Sequence, residues 1–422
     1  MALTTSAVAG VLLFGFSLIS RRIDGTMLTA PMLFAAAGFI GSADYLGVIS
    51  INVEHGAIHV IAELTLVLVL FSDAARINFR NLRRSHNFPV RMLIAGLPLS
   101  MLLGTGLAIW LFPHFKVWEA ALLAALLAPT DAALGQVVVS AKTIPLRIRQ
   151  TINIESGLND GIALPVVLAL ATLSSAIMEN RGVESWLTFA AMQLIFGPLV
   201  GLAVGHVGAK LLDVASAQRW ASIPFEGIAT LSLALLAFIL AELVNGNGFI
   251  SAFVAGAAFG HALKVRSEFL FEFMEGEGQL LMLLTFLAFG SALLPEGLDN
   301  FEWVHLLYAL LSLTVIRMLP ISLSLLGSGI KLPTHLFLGW FGPRGLASIL
   351  FLLLIFEQQT IQHQNEIFSV TVLTVALSIF FHGLTAAPFA RMYSRYVHQR
   401  VEAKEHVDVT DMPLRDGSLE HR

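Results

Sequence analysis

Residues 151–167 read TINIESGLNDGIALPVV and place four polar or charged side chains inside an otherwise apolar run. These are Glu155, Ser156, Asn159 and Asp160. Residues four apart share one face of a helix, so 155 with 159 and 156 with 160 form a narrow polar stripe. A carboxylate in a membrane-buried helix costs roughly 2.5–3.5 kcal/mol on insertion scales. If this helix lies in a membrane, the stripe predicts a functional site.

The composition predicts a membrane protein. Of the 422 residues, 56% are hydrophobic and only 13% are charged, against about 25% charged in soluble domains. Apolar runs long enough to cross a bilayer cover most of the chain, which indicates an all-α polytopic membrane protein. There is no cysteine, which excludes disulfide, Cys-zinc and iron–sulfur sites. The net charge of −4 includes no basic tract, so we expect no nucleic-acid partner.

Thirteen hydrophobic segments divide the chain, and we number them one to thirteen. A helix needs ~20 residues to cross a ~30 Å hydrocarbon core, so the shorter segments must extend past these limits or lie at thin places. Residues 7–20 lack the features of a cleaved signal peptide and belong to the first segment. The segments cover residues 4–20, 27–43, 57–72, 89–112, 117–140, 152–178, 186–208, 223–244, 249–263, 278–294, 303–326, 336–356 and 367–391.

The loop charges test this division independently. Lys and Arg alternate in number from loop to loop: the odd-numbered loops and the tail hold twenty, and the even-numbered loops hold two. By the positive-inside rule, the N-terminus lies outside and the C-terminus in the cytoplasm, which requires an odd number of spans. We therefore predict a transmembrane domain over residues 1–391 and a short, partly disordered cytoplasmic tail over 392–422.

Segments five and twelve are interrupted. Pro129 and Gly135 bracket the polar pair of segment five, which runs inward on this topology, and segment twelve runs outward. Interrupted helices at corresponding positions of oppositely oriented halves are typical of inverted-repeat transporters. The two repeats would cover approximately residues 1–180 and 220–391. In segment twelve the helix-breaking residues Gly339, Gly342, Pro343 and Gly345 surround Arg344.

The interruption in segment five suggests a cation site. Asp131 follows Pro129, which removes a backbone donor and frees a carbonyl upstream. Carboxylate, hydroxyl and carbonyl oxygens are the hard ligands that alkali cations take. Thr130, Ser156 and Asp160 would add oxygens if segments five and six pack together here. The alternative is a structural hydrogen-bonded cluster that holds a bent helix.

Two nearby acids cannot both stay ionised cheaply in a low dielectric, so Glu155 and Asp160 need separate roles. Arg317 lies in the middle of segment eleven and requires a buried acidic partner. If it pairs with Glu155, Asp160 can hold either a proton or a cation, but not both. That competition is sufficient for exchange. Asn159 is neutral, so the site has one free carboxylate, whereas a pair of aspartates would provide two. We therefore expect one proton to be exchanged for one monovalent cation, without net transfer of charge.

Several other polar residues are less clearly assigned. Asp73, near the cytoplasmic end of segment three, either lines an inner funnel or is a solvated acid beside Arg76. Glu63 and Glu242 lie in apolar runs without an assigned role. No nucleotide-binding motif or catalytic metal spacing occurs, so we expect neither an enzyme nor a cofactor. Five histidines lie in or next to the ends of segments, and this location favours ordinary interfacial histidines over a pH sensor. They are His206, His261, His305, His335 and His382.

The chain resembles the NhaP-type monovalent cation:proton antiporters, the branch that includes the eukaryotic sodium/proton exchangers. The ESxxND element with an upstream TD is the most specific feature. The resemblance covers most of the chain in order, through LVLFSDA at 68–74, PTDA at 129–132, IPLRIRQTINIESGLND at 144–160, GNGFISAFVAGAAFG at 246–260, GPRGLASI at 342–349 and FHGLTAAPFARM at 381–392.

The resemblance implies a thirteen-helix, NhaA-like inverted repeat whose broken helices five and twelve cross. It also implies a homodimer in lipid, as a multi-pass protein of a bacterial inner membrane. Gly157 stands where many members carry leucine. The family positions that surround the cation correspond to Thr130, Asp131, Ser156 and Asp160.

Further roles follow from the resemblance alone. Asp73 falls on an acidic position that lines the same cavity, and its ligand role varies in such proteins. Glu155 falls on the partner of the arginine in segment eleven, here Arg317. Arg344 matches the arginine of the family's Gly-x-Arg-Gly element. The Asn159–Asp160 pair resembles the electroneutral branch.

The leading hypothesis is a secondary antiporter that exchanges Na⁺ or Li⁺ for H⁺. K⁺/H⁺ exchange is the main alternative, because ligand identity alone does not fix the size of the cavity. A cation channel is a weaker alternative, because channels need a continuous pore. A non-transporting sensor would carry a soluble signalling domain, which the short loops leave no room for.

Overall fold

The computed structural model describes most of the transmembrane part of the chain. Some of the predicted loop charges lie outside the described residues, among them Arg80, Arg181 and Arg266, as does most of the predicted tail. All regular structure in the described part is helical, and that part has no strand. The described residues are 2–23, 26–49, 57–76, 87–131, 134–178, 183–264, 268–358, 361–399 and 405.

Each of the thirteen predicted segments contains a helix. Within the described residues, eight helices are long and apolar enough to cross a membrane by length and composition. Segments one to four form Ala2–Ile23, Ala30–Gly41, Ala57–Arg76 and Asn87–Leu111. Segments six to nine form Leu146–Met178, Val183–Ala217, Ile223–Leu243 and Gly248–Ala262. Segment ten forms Glu268–Ala288 and continues through a π turn into Leu294–Asp299. Segment eleven forms Trp303–Leu313 and Val315–Ser324. Segment thirteen forms Gln364–His398.

Segments five and twelve are both broken, as the glycines and prolines predict. Segment five forms Val117–Leu126 and a short turn of helix, Gln136–Val139, on either side of Thr130. Segment twelve forms Leu332–Trp340 and Leu346–Gln358. Pro129 and Pro343 lack a backbone donor, and proline disfavours a helical conformation in the residue before it, so neither helix continues through its break.

The two breaks meet each other. The Asp131 N–H donates to the Pro343 carbonyl at 2.8 Å, and the Leu346 N–H donates to the Asp131 carboxylate at 2.9 Å. The Ser348 hydroxyl donates to the Leu126 carbonyl at 2.7 Å. Backbone groups that the broken helices leave unpaired are thus satisfied across the crossing, as a buried backbone requires.

Segment three is held against segment nine by close backbone contact. A Cβ on Gly256 would lie 2.2 Å from the Phe71 carbonyl oxygen, and one on Gly260 would lie 1.9 Å from that of Ala75. Only glycine permits this approach, because any side chain would overlap the backbone of segment three. Asp73 lies between these two contacts, so its position is fixed by the packing of the two helices.

The last helix extends beyond the predicted transmembrane boundary. Segment thirteen continues to His398, whereas the hydropathy pattern predicts an end at Arg391. The basic residues of its last turn, Arg395 and His398, lower the local hydropathy without interrupting the helix. Basic side chains are favourable at a helix C-terminus, where the backbone carbonyls carry partial negative charge.

Candidate ion-binding site

Glu155 and Arg317 form a buried, bidentate ion pair. Arg317 Nη1 donates to Glu155 Oε1 at 2.8 Å, and Nη2 donates to Oε2 at 3.0 Å. Each side chain is 1% exposed. Two parallel N–H···O bonds match the planar guanidinium to the carboxylate and fix the orientation of both groups. The pairing predicted from the buried arginine is therefore present, and it connects segments six and eleven.

Thr130 connects the break of segment five to the polar stripe of segment six. Its hydroxyl lies 3.0 Å from Ser156 Oγ and 3.2 Å from Glu155 Oε2. It also accepts a hydrogen bond from the Asn159 amide. Because a hydroxyl has one hydrogen and two lone pairs, these contacts use its full capacity. The structure thus brings Thr130, Glu155, Ser156 and Asn159 into one hydrogen-bonded cluster.

Asp131 and Asp160 are also almost fully buried, each with 6% of its surface exposed. Asp131 accepts from the first N–H of the half-helix Leu346–Gln358. The positive end of the helix dipole stabilises a carboxylate there. Asp160 lies one helical turn beyond Ser156 on segment six. Of the predicted cation ligands, the described contacts join Thr130 to Ser156, whereas Asp131 is held by the break of segment twelve.

Arg344 binds backbone carbonyls. Its guanidinium is completely buried, and Nη1 donates to the carbonyls of Ala128 at 2.7 Å and Pro129 at 3.2 Å. These carbonyls follow the end of the half-helix Val117–Leu126, where the helix dipole is negative and favours a cation. Arg344 thereby stabilises the break of segment five from segment twelve.

Asp73 lies at a cavity beside the crossing. The cavity has a volume of about 50 Å³ and is lined by Asp73, Arg76, Gln136 and Leu346, among others. Leu346 is the residue whose N–H binds Asp131, so this cavity extends to the neighbourhood of the predicted cation site. On the predicted orientation it opens toward the cytoplasm.

A larger cavity contains the two acids that the sequence left unassigned. It has a volume of about 190 Å³, and Glu63, Glu242 and Pro165 contribute to its lining. Glu242 also accepts from the Gly248 N–H at 2.8 Å, which caps segment nine. Glu63 and Glu242 belong to segments three and eight, so no local pattern could place them together. On the predicted orientation this cavity is in the outer half.

The histidines differ in their surroundings. His206 and His261 are exposed, and His335 lies 3.2 Å from the Ser322 carbonyl, in keeping with ordinary structural positions. The prediction for His382 was wrong. This residue lies in the interior of the helix Gln364–His398 and is 1% exposed, because the helix extends further than the hydropathy pattern indicates. With Ser378 it contacts the break of segment twelve, a role that the sequence analysis missed.

Comparisons with known proteins agree with this arrangement. A family model described as "Sodium/hydrogen exchanger, transmembrane" matches residues 8–392. The K(+)/H(+) antiporter NhaP of Alkalimonas amylolytica is 26% identical over 388 residues, which are 89% of this chain and 64% of that protein. The Na(+)/H(+) antiporter of Schizosaccharomyces pombe is 26% identical over 316 residues, covering 70% of this chain and 66% of that protein. The chain therefore spans about two thirds of the length of these relatives.

The fold is that of a solved antiporter structure. The sodium proton antiporter MjNhaP1 from Methanocaldococcus jannaschii, determined at pH 8, superposes with a TM-score of 0.75. The alignment covers 93% of this chain and 99% of that chain, at 18% sequence identity. The arrangement of helices is thus preserved where most side chains differ.

Proposed function

Because the chain belongs to the sodium/hydrogen exchanger family, we propose that it is a secondary active antiporter that exchanges Na⁺ for H⁺ across a membrane. The observation that carries the proposal is the balance of charge in the buried cluster. Asp131, Glu155 and Asp160 contribute three carboxylates, and Arg317 and Arg344 contribute two guanidinium groups, all at least nine-tenths buried. With every group ionised, the cluster carries one net negative charge.

A net negative charge in a low dielectric is costly, and one proton or one monovalent cation removes it. Glu155 is held by Arg317, and Asp131 accepts from a helix N-terminus. We therefore assign the exchanging role to Asp160, where a proton and a cation compete. Asp131 and Ser156 would supply further oxygens, and Thr130 would add its oxygen on release of one of the hydrogen bonds that it accepts. Asp73 would act at the inner approach. One charge is carried in each direction, so the exchange is electroneutral.

Alternating access is supported by the two cavities. One contains Asp73 and the other contains Glu63 and Glu242, and on the predicted orientation they face opposite sides of the membrane. Each would supply a hydrated path to the buried cluster in one state of the transport cycle. The degree of burial of the cluster favours an antiporter over a cation channel, which needs a continuous pore.

K⁺/H⁺ exchange is the second candidate. The relatives bear both names, since NhaP of Alkalimonas amylolytica is a K(+)/H(+) antiporter and the protein of Schizosaccharomyces pombe is a Na(+)/H(+) antiporter. Carboxylate and hydroxyl oxygens bind either ion. The selectivity depends on the size of the occupied site, which the identity of the ligands leaves open.

The test is exchange in inside-out membrane vesicles, with a fluorescent dye that reports the proton gradient. Addition of NaCl, LiCl or KCl to acidified vesicles should dissipate the gradient for each true substrate. Asp160→Asn should abolish the response to every cation, because the amide cannot exchange a proton for a cation. Asp44→Asn provides the same chemical change in an exposed loop and should leave exchange at the wild-type level.

The two parts of the proposal have different negative outcomes. Wild-type vesicles that respond to no monovalent cation would refute antiport. A response to KCl alone would replace Na⁺ by K⁺ as the substrate. Rapid exchange by correctly inserted Asp160→Asn protein would refute the assignment of Asp160 while leaving antiport in place.

A further inference from the structure

The break in segment twelve leaves backbone groups that need partners. The half-helix Leu332–Trp340 ends in a tight turn in which the Gly342 N–H donates to the Trp340 carbonyl at 2.8 Å, and the Arg344 N–H before Leu346 lies outside either half-helix. Buried backbone groups of this kind are almost always paired, because leaving one unpaired is costly. The break therefore depends on donors and acceptors from neighbouring helices.

Segment thirteen supplies two of these partners. The Arg344 N–H donates to Ser378 Oγ at 2.6 Å, and His382 Nε2 lies 2.9 Å from the Trp340 carbonyl oxygen. Ser378 and His382 are one helical turn apart on one face of the helix and are 0% and 1% exposed. They thus contact the two ends of the same break, one on each side of Pro343.

Both ring nitrogens of His382 lie beside hydrogen-bonding groups. Nε2 faces the Trp340 carbonyl oxygen, and Nδ1 lies 3.0 Å from the Ser378 carbonyl oxygen and 3.1 Å from the Ser378 hydroxyl. A carbonyl oxygen only accepts, so the tautomer with its hydrogen on Nε2 donates to Trp340, and its Nδ1 accepts from the Ser378 hydroxyl. That hydroxyl in turn accepts from Arg344. In this tautomer Arg344, Ser378 and His382 form a continuous hydrogen-bonded brace that crosses the break to Trp340.

Trp340 is held to segment thirteen by its side chain as well. Its indole Nε1 donates to Thr385 Oγ1 at 3.0 Å, and the ring centroids of Trp340 and His382 are 4.9 Å apart. The last residue of the half-helix therefore contacts segment thirteen through its backbone carbonyl, its indole N–H and its ring. This fixes the point at which the helix ends and the turn begins.

We propose that Ser378 and His382 are positioning residues for the cation site, acting through the turn formed by residues 341–345. This inference rests on the proposed function and adds two residues to its machinery. The turn presents the Pro343 carbonyl to the Asp131 N–H and the Leu346 N–H to the Asp131 carboxylate. Without the brace, the turn can shift, and Asp131 loses its fixed orientation.

The expected effect is on cation binding. A ligand held less firmly must be ordered when the ion binds, which weakens binding without removing the exchanging carboxylate. We therefore expect the apparent KM for the cation to rise while the maximal rate changes less. A merely structural role would lower the amount of folded protein and leave the KM of the folded fraction unchanged.

The experiment compares four variants in vesicles containing the full chain, with the amount of folded protein measured by size-exclusion chromatography. Ser378→Ala and His382→Leu remove the brace and should raise the KM for Na⁺ about tenfold, the upper range for loss of one buried hydrogen bond. His382→Gln retains an amide donor for Trp340 and should stay within about threefold of the wild type. Ser369→Ala is the matched control, because this buried serine on the same helix has no hydrogen-bond partner among the described residues.

A second measurement separates this inference from the proposed function. The unfolding temperature of purified protein in detergent should rise with NaCl, since an ion that binds only the folded state stabilises it. That rise reports binding even if vesicles show no exchange. The positioning role predicts that Ser378→Ala shifts the NaCl dependence to about tenfold higher concentration. A dependence equal to that of the wild type, or a His382→Gln variant as impaired as His382→Leu, would overturn it.

Discussion

Arg317 donates to both oxygens of the Glu155 carboxylate, and both side chains are buried. Taking two charges out of water is costly, and their mutual attraction repays that cost only when the geometry is good. The bidentate contact with Glu155 meets this condition. The pair therefore contributes less to net stability than its short distances suggest, but removing one partner leaves a buried charge without compensation.

A double-mutant comparison tests this pair. We expect Arg317→Ala to lower the free energy of unfolding by about 3–5 kcal/mol, the usual cost of breaking a buried ion pair. Combining it with Glu155→Gln should recover part of that loss, because the remaining carboxylate is neutralised. The measurement is unfolding of purified protein in detergent, followed by tryptophan fluorescence. Equal losses in the single and double variants would show that the two charges are not coupled.

Among single residues, a buried charge that needs a countercharge is the feature that can be predicted from the sequence. A buried arginine in segment eleven and an acid in segment six are conspicuous against apolar surroundings, so Glu155 and Arg317 could be matched. The partners of Arg344 could not be predicted, because every residue has a backbone carbonyl and no residue type indicates which carbonyl accepts. Ser378 and His382 were missed for a similar reason: serine and histidine are unremarkable in a long helix until the broken backbone beside them is known.

At the scale of helices, the crossing depends on residues without side chains. An added Cβ on Gly345 would lie 2.3 Å from Asp131 Oδ2 and 2.8 Å from its Cβ. An added Cβ on Gly342 would lie 2.3 Å from Arg317 Nε. The glycines of segment twelve thus do more than break the helix, since they leave room for the charged side chains of segments five and eleven.

Gly345→Ala should therefore reduce exchange at least about tenfold, because Asp131 or the turn must move to relieve the overlap. Dye-reported exchange in vesicles measures the effect, normalised to the amount of inserted protein. Gly106→Ala is the control, since a Cβ at that position of segment four meets nothing within 4 Å. Wild-type kinetics in Gly345→Ala would mean that the site tolerates a displaced Asp131.

Both interruptions were predictable from glycine and proline, but the contacts between them were not. The sequence indicates that two helices break, and the local preferences of proline and glycine explain why. It does not indicate that the breaks meet, because that depends on the packing of segments some 200 residues apart. The end of segment thirteen was also misplaced, since hydropathy detects apolar surface and this helix continues into a polar turn.

For the whole molecule, the charge count of the buried cluster predicts the stoichiometry. If one proton replaces one cation, no net charge crosses the membrane in a cycle. A NaCl concentration jump applied to proteoliposomes on a solid-supported electrode should then give no sustained current, although a pH dye in the same vesicles reports exchange. A sustained current that scales with exchange would show that a further group, such as Asp73, titrates during the cycle.

The alternation of basic loops predicts an orientation, and the hydropathy pattern predicts the segments. Both patterns extend over the whole chain. The matching fold of MjNhaP1 bears out the helical architecture. What no pattern could supply is the pair of cavities, because each is lined by residues from helices far apart in the chain. Their volumes depend on side-chain packing between those helices.

The separation of Glu155 and Arg317 along the chain also affects biogenesis. The two residues are 162 positions apart, and at 5–20 residues per second the ribosome needs roughly 10 to 30 s to add that length. During that interval segment six has entered the bilayer with an acid whose countercharge has not yet been synthesised. Nascent chains that end before segment eleven therefore carry an uncompensated charge in segment six.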